Sequence, residues 1–512
     1  MKQFKGIIAA GHYETVKAGC EILGEGGNAF DAVVASMLTA CVAEPVLASL
    51  GGGGFLTARP AQSDPLVYDF FAQTPHRKLT EGELGFYPIE ADFGTASQTF
   101  HIGMGSIATP GFIKGLYTIH DNHCRLPLRT LFQPAIELAT KGVSINPFQH
   151  LISTIVAPIL RATPEALQIN ASPESPDRLI SEGERHRLPA FADFLKILQH
   201  EGERLFYEGE AGRQLVNDCR DRGGHLQMDD LLGYALLRRS PLRYRYHGAQ
   251  ILTNPLPSLG GTLIAFSLGQ LASHTIDPNS AGEEDHIRSL AQTMQITQIA
   301  RMDHHSTMER LLDPAISEQF KKRLRQGGLS TRGTTQISIA DRDGNLASMT
   351  LSNGEGSGYV IPGTGIMMNN MLGEEDLNPK GFHQWPLNQR LASMMAPTLI
   401  LTDDGRSIVL GSGGSNRIRS AILQVIINLL DFGMPLEQAV SFPRIHYESE
   451  LLSMEPGIDA AIGDMLKSEF PKQQHWQSKN LFFGGTHCVL LDDKGNHIGI
   501  GDERRGGVSL SV

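Results

Sequence analysis

The sequence contains few cysteines, and their spacing matches no disulfide or zinc-binding framework. Five occur among 512 residues, an odd number without a CxxC pair. They stand at Cys20, Cys41, Cys124, Cys219 and Cys488. Reduced thiols in a cytoplasmic protein fit this pattern better than a disulfide scaffold does.

Long apolar runs and basic clusters are also absent. The longest charge-free apolar run near the N-terminus covers residues 32–43, whereas a bilayer span needs about 20 residues. Residues 1–6 lack the apolar stretch of a secretory signal. Lysine and arginine number 44 against 55 acidic residues, a net charge of −11. We therefore expect a soluble cytoplasmic protein with neither a membrane nor a nucleic acid as partner.

Motifs for metals and nucleotides are missing as well. The tightest histidine groups, His120 with His123 and Cys124 and then residues 303–305, match no zinc spacing. The glycine-rich segments have neither a GxGxxG fingerprint nor the GK[ST] ending of a phosphate loop. The sequence therefore predicts neither a metal nor another cofactor.

Glycine, in contrast, is abundant. It supplies 55 of the 512 residues, about 11% against roughly 7% in average proteins. Clusters at residues 51–54 and 411–414 indicate places where backbone must approach backbone or a ligand closely. Residues 411–417 lie between an apolar run and a helical pattern, so their N–H groups could bind an anion or a developing oxyanion. A tight turn without a chemical role is the alternative.

Periodicity predicts mainly helices between residues 100 and 330, with amphipathic segments at 189–200 and 283–302. Asn28 is expected to cap a buried helix, with Asp31 in its first turn. Residues 242–263 resemble strands, and residues 325–333 an exposed loop. From residue 334 the period changes to two, and Asp343-Gly344 marks the turn of a hairpin.

The hairpin and the loop before it single out Thr334. A two-residue turn at Asp343-Gly344 would pair Thr334 with Asn353, and a turn centred on Asp343 would pair it with Ser352. A threonine placed directly after a flexible loop can attack the preceding carbonyl, here that of Gly333. The freed α-amine, with a pKa near 7.7–8.0, can then act as the base. The alternative is a threonine that only begins a strand.

An acidic cluster follows Asn369-Asn370. Its members Glu374, Glu375 and Asp376 could recognise a substrate ammonium through charge-assisted hydrogen bonds. A solvated loop is the alternative explanation for such a run.

Taken together, these segments resemble the gamma-glutamyltransferase family of N-terminal nucleophile hydrolases, which make and cleave gamma-glutamyl amides such as glutathione. The matching stretches run in the family's order along nearly the whole chain. They are residues 25–32, 50–55, 108–111, 257–261, 334–338, 343–345, 365–370, 396–398 and 411–417.

The resemblance implies an α/β fold, a four-layer αββα sandwich built jointly by two fragments of one self-cleaved precursor. Cleavage between Gly333 and Thr334 would give a large subunit of residues 1–333 and a small, catalytic subunit of residues 334–512. The two fragments would remain together as a heterodimer.

The resemblance also implies catalytic roles. Thr334 would be the nucleophile and, after cleavage, the α-amine base. A second hydroxyl that assists maturation falls on Thr350 or Ser352. The oxyanion-binding backbone falls on Gly414 and Ser415, although Gly413 and Gly414 fit the chemistry equally well.

Departures from the family pattern concern substrate binding. Phe71 stands where the family has the arginine that binds the glutamyl α-carboxylate, and Arg59 or Arg77 would have to replace it. Met371 and Met394 also replace polar family residues. The substrate-binding set that the resemblance implies is Asn353, Glu374, Glu375, Ser393 and Phe71.

This combination of retained and changed substrate-binding residues is consistent with two substrate classes. One is a gamma-glutamyl amide of the glutathione type, whose acyl group passes to water or an amine. The other is a related acyl amide of the glutaryl type, which the change at Phe71 favours. The alternative hypothesis, from another functional class, is an unprocessed and inactive binding protein with the same fold.

Overall fold

The structure is a computed structural model that describes residues 3–92, 97–272, 277–303, 311–312, 333–378 and 380–512. Two large sheets form its centre. Their strands are, in chain order, β1 (Gly6–Ala10), β2 (Gly53–Arg59), β3 (Leu66–Phe70), β4 (Leu237–Arg239), β5 (Leu242–Tyr246), β6 (Ala249–Thr253), β7 (Thr335–Asp341), β8 (Leu346–Ser352), β9 (Thr398–Thr402), β10 (Ser407–Gly413), β11 (Gly485–Leu491), β12 (His497–Ile500) and β13 (Val508–Ser511).

Helices cover the outer faces of these sheets and fill the connections. They are α1 (Tyr13–Gly24), α2 (Ala29–Ala43), α3 (Phe112–His123), α4 (Leu128–Lys141), α5 (Pro147–Ile155), α6 (Ala157–Leu160), α7 (Pro164–Asn170), α8 (Pro189–Glu201), α9 (Arg204–Tyr207), α10 (Glu210–Arg222), α11 (Met228–Leu232), α12 (Leu259–Leu271), α13 (Glu284–Asp303), α14 (Arg417–Leu430), α15 (Leu436–Ser441) and α16 (Ala460–Leu466). In the part of the chain that the structure describes, no helix has the length and apolar content needed to cross a bilayer.

Short strands form smaller ribbons at the periphery. They pair as Tyr87–Asp92 with Ser97–Ile102, Val143–Ser144 with Arg185–His186, Ala171–Ser172 with Ser175–Leu179, Val360–Ile361 with Ile366–Met367, and Ile445–Glu448 with Leu451–Met454 and Lys472–His475.

Strands from both sides of the 333/334 junction share the first large sheet. Its order is β4-β3-β2-β8-β7-β1-β13, and the second sheet has the order β5-β6-β9-β10-β11-β12. The central strands β7 and β8 therefore lie between strands that come from before residue 333. This intermixing means that residues 1–333 and 334–512 build one structure together rather than two separate domains.

The layers are held by three apolar clusters. One packs α1, α2, α3 and α4 on the outer face of the first sheet, with residues such as Val33, Leu56 and Ile337. A second packs α12, α13 and α14 on the second sheet. A third, which includes Ala9 and Val409, fills the space between the sheets. The order helix, sheet, sheet, helix is the predicted four-layer αββα sandwich.

Helix α2 confirms the prediction at Asn28. The Asn28 side chain accepts hydrogen bonds from the N–H groups of Phe30 and Asp31, and the Asp31 carboxylate accepts from the N–H of Asn28. This capping box satisfies N–H groups that would otherwise be unpaired in the interior. Every residue of the helix is buried, because it lies between the first sheet and α1 and α4.

The segment 242–263 is only partly extended, so the prediction of strands there is wrong at its C-terminal end. Strands β5 and β6 end at Thr253, and α12 begins at Leu259. The cause is burial on nearly all sides of α12, which makes its sequence a continuous apolar run without a helical period. Periodicity alone cannot distinguish such a helix from a buried strand.

The register of the β7–β8 hairpin decides between the two pairings considered for Thr334. Thr335 pairs with Leu351, and Ala340 pairs with Leu346. The loop is closed by a hydrogen bond from the N–H of Gly344 to the carbonyl of Asp341, 3.1 Å, with Gly344 at φ +86°. The turn is therefore centred on Asp343, which brings Ser352 rather than Asn353 opposite Thr334.

Candidate active site

The junction between Gly333 and Thr334 lies at the start of β7, in the interior of the molecule. Thr334 is 4% exposed, and it lines a pocket together with Ser352. Of the loop predicted for residues 325–333, residues 325–332 lie outside the described residues.

Both polar groups of Gly333 are held by side chains. The Ser352 hydroxyl donates to the carbonyl oxygen of Gly333 at 2.8 Å and accepts from the N–H of Gly354 at 3.0 Å. The N–H of Gly333 donates to a carboxylate oxygen of Glu355 at 2.9 Å. A hydroxyl on the carbonyl before Thr334 can stabilise the negative charge that develops when that carbonyl is attacked.

The carbonyl of Thr334 itself is fixed from the other side. The guanidinium of Arg505 donates to this oxygen at 3.3 Å. The Cα of Gly413 faces it so closely that a Cβ at residue 413 would collide with it. Burial lowers the pKa of Arg505 to about 10. This value is still far above neutral pH, so the guanidinium stays charged.

A buried carboxylic acid lies beneath the neighbouring residue Thr335. The carboxylate of Glu44 accepts hydrogen bonds from the hydroxyls of Thr335 at 2.7 Å and Thr15 at 2.9 Å. Burial raises the pKa of Glu44 to about 7, against the opposing effect of both hydroxyls and of Arg505. Glu44 thus titrates near neutral pH directly below the strand that carries Thr334.

The glycine-rich turn lies between β10 and α14, as the sequence predicts. Gly414 and Ser415 both have positive φ, +119° and +53°, and α14 begins two residues later at Arg417. The Ser415 hydroxyl donates to Asp376 at 2.6 Å. The turn therefore stands beside Thr334 at the N-terminal end of a helix, where backbone N–H groups favour negative charge.

Apolar and polar side chains both line the pocket. Its apolar lining is Phe71, Leu259, Leu377, Ala392, Met394, Met395 and Ile418, and its polar lining is Thr334, Ser352, Glu374, Asp376, Ser393 and Ser415. Among the described residues, no lysine, arginine or histidine belongs to this lining. Within the described lining, a bound carboxylate would meet the acidic side chains of Glu374 and Asp376.

Phe71 is fixed in that lining. It is 2% exposed and stacks on Phe55 with ring centroids 5.4 Å apart. Arg390 holds its backbone, because the guanidinium donates to the Phe71 carbonyl and lies 3.4 Å from Asp69. The position where the family carries its carboxylate-binding arginine is thus a rigid apolar surface.

Neither arginine considered as a replacement lines the pocket. Arg59 is the last residue of β2, opposite Leu346, while Gly53 at the other end of β2 pairs with Ser352. Six residues of extended strand separate the two ends, about 20 Å. The guanidinium of Arg77 lies against the side-chain amide of Gln227. The expectation that one of them substitutes is not supported by their positions.

Gly413 and Gly414 of the glycine-rich turn do not belong to the lining, and three predicted residues with longer side chains also lie outside it. Thr350 shares the face of Ser352, but it lies two positions further from the junction, where its hydroxyl donates to Gln336 at 2.6 Å. Asn353 follows the last residue of β8, and its amide donates to the carbonyl of Met367 at 3.3 Å. Glu375 is exposed at the start of a short 3₁₀ turn.

The sequence reasoning missed Arg505 and Glu355. Arg505 is 171 positions from Thr334, and no motif marks it. Glu355 follows the hairpin within a glycine-rich stretch, and its proximity to Ser352 was the only signal that could have identified it.

Comparison with known proteins connects this geometry to a family. A sequence model of the gamma-glutamyltranspeptidase family matches residues 15–512. The acylase ACY 1 proenzyme of Pseudomonas sp. (strain SE83) is 30% identical, over 99% of this chain and 94% of its own. The glutathione hydrolase proenzyme of Escherichia coli (strain K12) is 26% identical, over 98% of this chain and 90% of its own.

Solved structures show the same fold. The cephalosporin acylase of Bacillus halodurans superposes with a TM-score of 0.86 at 22% identity, covering 99% of this chain and 96% of the other. With the family match across nearly the full length, the chain belongs to the gamma-glutamyltranspeptidase family and is an enzyme of the N-terminal nucleophile hydrolase and acyltransferase class.

Proposed function

We propose that this chain cleaves itself between Gly333 and Thr334 and then hydrolyses acyl amides through an acyl-enzyme on Thr334. The observation that carries the proposal is the Ser352 hydroxyl 2.8 Å from the carbonyl oxygen of Gly333. The Thr334 hydroxyl attacks the Gly333 carbonyl carbon, and the C–N bond breaks to give an ester and a free α-amine. Water then hydrolyses the ester and releases residues 1–333 from 334–512.

The mature enzyme uses the same groups on a substrate. The α-amine of Thr334 accepts the proton of the hydroxyl as that hydroxyl attacks the amide carbon, because an ordinary α-amine can act as a base near neutral pH. The N–H groups of Gly414 and Ser415, or of Gly413 and Gly414, stabilise the oxyanion. The leaving amine takes up the proton, and water or an acceptor amine then removes the acyl group from Thr334.

The acyl group we favour lacks the α-carboxylate of a gamma-glutamyl group. Phe71 and Met394 occupy positions where the family pattern has carboxylate-binding residues, and the described pocket lining includes no cation. A buried carboxylate without a cationic partner is costly. The similarity to acylase proenzymes supports this choice.

A gamma-glutamyl donor such as glutathione is the second candidate. It is supported by Glu374 and Ser393, which remain in the pocket lining, and by the similarity to glutathione hydrolase proenzymes. An unprocessed binding protein is the candidate from another class, and it requires that Thr334 have no chemical role.

Two variants of Thr334 separate these candidates. Thr334→Ala removes the nucleophile, whereas Thr334→Ser keeps a hydroxyl at the same position. We expect Thr334→Ala to remain one chain without activity toward pentanoyl and gamma-glutamyl p-nitroanilides, and Thr334→Ser to process slowly. In the wild type, pentanoyl p-nitroanilide should be cleaved faster than the gamma-glutamyl compound. Equal activity in wild type and Thr334→Ala would refute the proposal.

A further inference from the structure

Glu44 is a buried acid that contacts the residue next to Thr334 without lining the Thr334 pocket. It follows the last residue of α2 and is 4% exposed. Its carboxylate accepts the hydroxyl of Thr335 at 2.7 Å. Neither Glu44 nor Thr335 belongs to the described lining of that pocket. Glu44 therefore acts on the proposed nucleophile through the neighbouring residue and does not reach a substrate.

The backbone leaves room for this carboxylate. A Cβ at Gly11 would collide with a carboxylate oxygen of Glu44 and would lie 3.1 Å from the Thr335 hydroxyl. The other carboxylate oxygen accepts the hydroxyl of Thr15 at 2.9 Å. Glu44 thus lies between the first turn of α1 and the first residue of β7, and each of its oxygens is bound by a hydroxyl.

Arg505 fixes the same part of the chain at another atom. Its guanidinium donates to the carbonyl of Thr334 at 3.3 Å. The backbone at the start of β7 is therefore held by a cation at the carbonyl of Thr334 and by an acid at the side chain of Thr335. Because a misplacement of about 1 Å can cost roughly a hundredfold in rate, this fixation bears on the reaction of Thr334.

Among the titratable groups around it, Glu44 changes its charge near neutral pH. Burial raises the pKa of Glu44 to about 7. Burial lowers the pKa of His12 to about 4, lowers the pKa of His186 and raises that of Cys41, so these three are neutral at neutral pH. His12 and His186 line a second pocket together with Glu44. Arg505 stays charged, and its charge favours the ionised form of Glu44.

The ionised acid costs stability. The native state keeps the proton of Glu44 to a higher pH than the unfolded state does, so stability falls as the acid ionises. A buried acid of this kind is typical of functional sites. Charge-assisted hydrogen bonds are about twice as strong as neutral ones, so ionisation strengthens the contact with Thr335.

We propose that Glu44 is a positioning residue, whose ionised carboxylate holds the Thr335 hydroxyl and thereby orients Thr334 for attack. This inference rests on the proposed function, because the orientation of Thr334 matters only if Thr334 carries the acyl group. Self-cleavage and turnover both depend on that orientation. Substrate binding does not, so we expect Glu44 to affect kcat and not KM.

Glu44→Gln, compared with the wild type between pH 5.5 and pH 9, tests the inference. Hydrolysis of pentanoyl p-nitroanilide is normalised to the amount of cleaved chain on denaturing gels. We expect Glu44→Gln to lower kcat at least tenfold at pH 9 and less than twofold at pH 5.5, where the wild-type acid is itself neutral. KM should change less than twofold, and the variant should unfold at pH 9 at no lower temperature than the wild type. A loss of kcat that is equal at both pH values would overturn the inference.

The two hydroxyls on Glu44 supply a matched pair of variants. Thr335→Val removes the donor beside the nucleophile and should lower kcat at least tenfold at pH 9, whereas Thr335→Ser should restore it. Thr15→Val removes the other donor and keeps the contact with Thr335. It should therefore move the rise of kcat to higher pH and come within twofold of the wild type at pH 9. Equal losses in Thr335→Val and Thr15→Val would overturn the inference, because they would show a role in packing alone.

The extent of cleavage at the 333/334 junction is measured for the same variants, so a variant that fails to mature still gives a result. A folded Thr335→Val that stays uncleaved beside a cleaved Thr15→Val supports the inference. If both stay uncleaved, the inference is wrong.

These assays separate the inference from the proposed function. If Thr334→Ala abolishes hydrolysis but Glu44→Gln follows the wild-type pH profile, only the inference fails. If hydrolysis persists in Thr334→Ala, the proposed function fails, and the inference fails with it.

Discussion

The hydroxyl of Ser352 donates a hydrogen bond to the carbonyl oxygen of Gly333 across 2.8 Å. These two residues are brought together by the register of one hairpin, in which Thr335 pairs with Leu351. The contact places a donor on the carbonyl that Thr334 would attack in the proposed maturation. The hairpin therefore determines the local geometry of the reaction as well as the sheet.

Ser352→Ala should slow the cleavage at the 333/334 junction about tenfold to a hundredfold, because one donor to the developing oxyanion is lost. The rate is measured by denaturing electrophoresis of freshly purified protein over time. Ser352→Thr keeps the hydroxyl and serves as the control. Cleavage of Ser352→Ala at the wild-type rate would show that the contact has no chemical role.

Gly413→Ala should impair maturation and stability together. Its Cβ would collide with the backbone carbonyl of Thr334, and overpacking of this kind costs about 1–3 kcal/mol. Gly82→Ala is the control, because a Cβ at Gly82 meets no atom within 4 Å. The thermal unfolding temperature and the extent of cleavage should both fall for Gly413→Ala, and both should stay at the wild-type value for Gly82→Ala.

Arg505→Lys should reduce kcat with little change in KM. The guanidinium donates to the carbonyl of Thr334 at 3.3 Å and does not line the pocket, so we expect it to position the proposed nucleophile rather than the substrate. A lysine cannot reproduce the planar guanidinium. A rise in KM at constant kcat, measured with pentanoyl p-nitroanilide, would contradict this assignment.

Glu44→Gln should stabilise the protein at pH 8 more than at pH 5. The pKa of Glu44 rises on folding from its ordinary value of 4.5 to about 7, so between these values the native state binds more protons than the unfolded state. Stability from this group therefore falls as pH rises through that range, by up to about 3 kcal/mol. Denaturant unfolding at both pH values checks the difference. An equal effect of Glu44→Gln at pH 5 and pH 8 would contradict the shift.

Local patterns predicted most of the fold around the site. Three local patterns were sufficient, because each concerns residues that are close in sequence. They are the alternation from Thr334, the turn near Asp343 and the glycines at 411–414. The hairpin register still needed the structure, because a one-residue difference in the turn exchanges Ser352 for Asn353.

Contacts between distant segments could not be predicted in this way. Arg505 reaches Thr334 through the packing of the two sheets, which no spacing in the sequence reveals. In the sequence, the three carboxylates of the acidic cluster are equivalent. The short 3₁₀ turn at residues 375–377 directs Glu374 and Asp376 to the pocket and leaves Glu375 exposed. Arg59 was considered as a carboxylate-binding residue only because it is an arginine. Its position at the end of β2, opposite Leu346, places it outside the pocket.

N-terminal sequencing of the purified wild-type protein tests the central claim most directly. Self-cleavage predicts a second terminus that begins Thr-Thr-Gln-Ile-Ser, from residue 334, in the wild type and its absence in Thr334→Ala. A single full-length chain that persists after prolonged incubation, or a second terminus at another residue, would contradict the account.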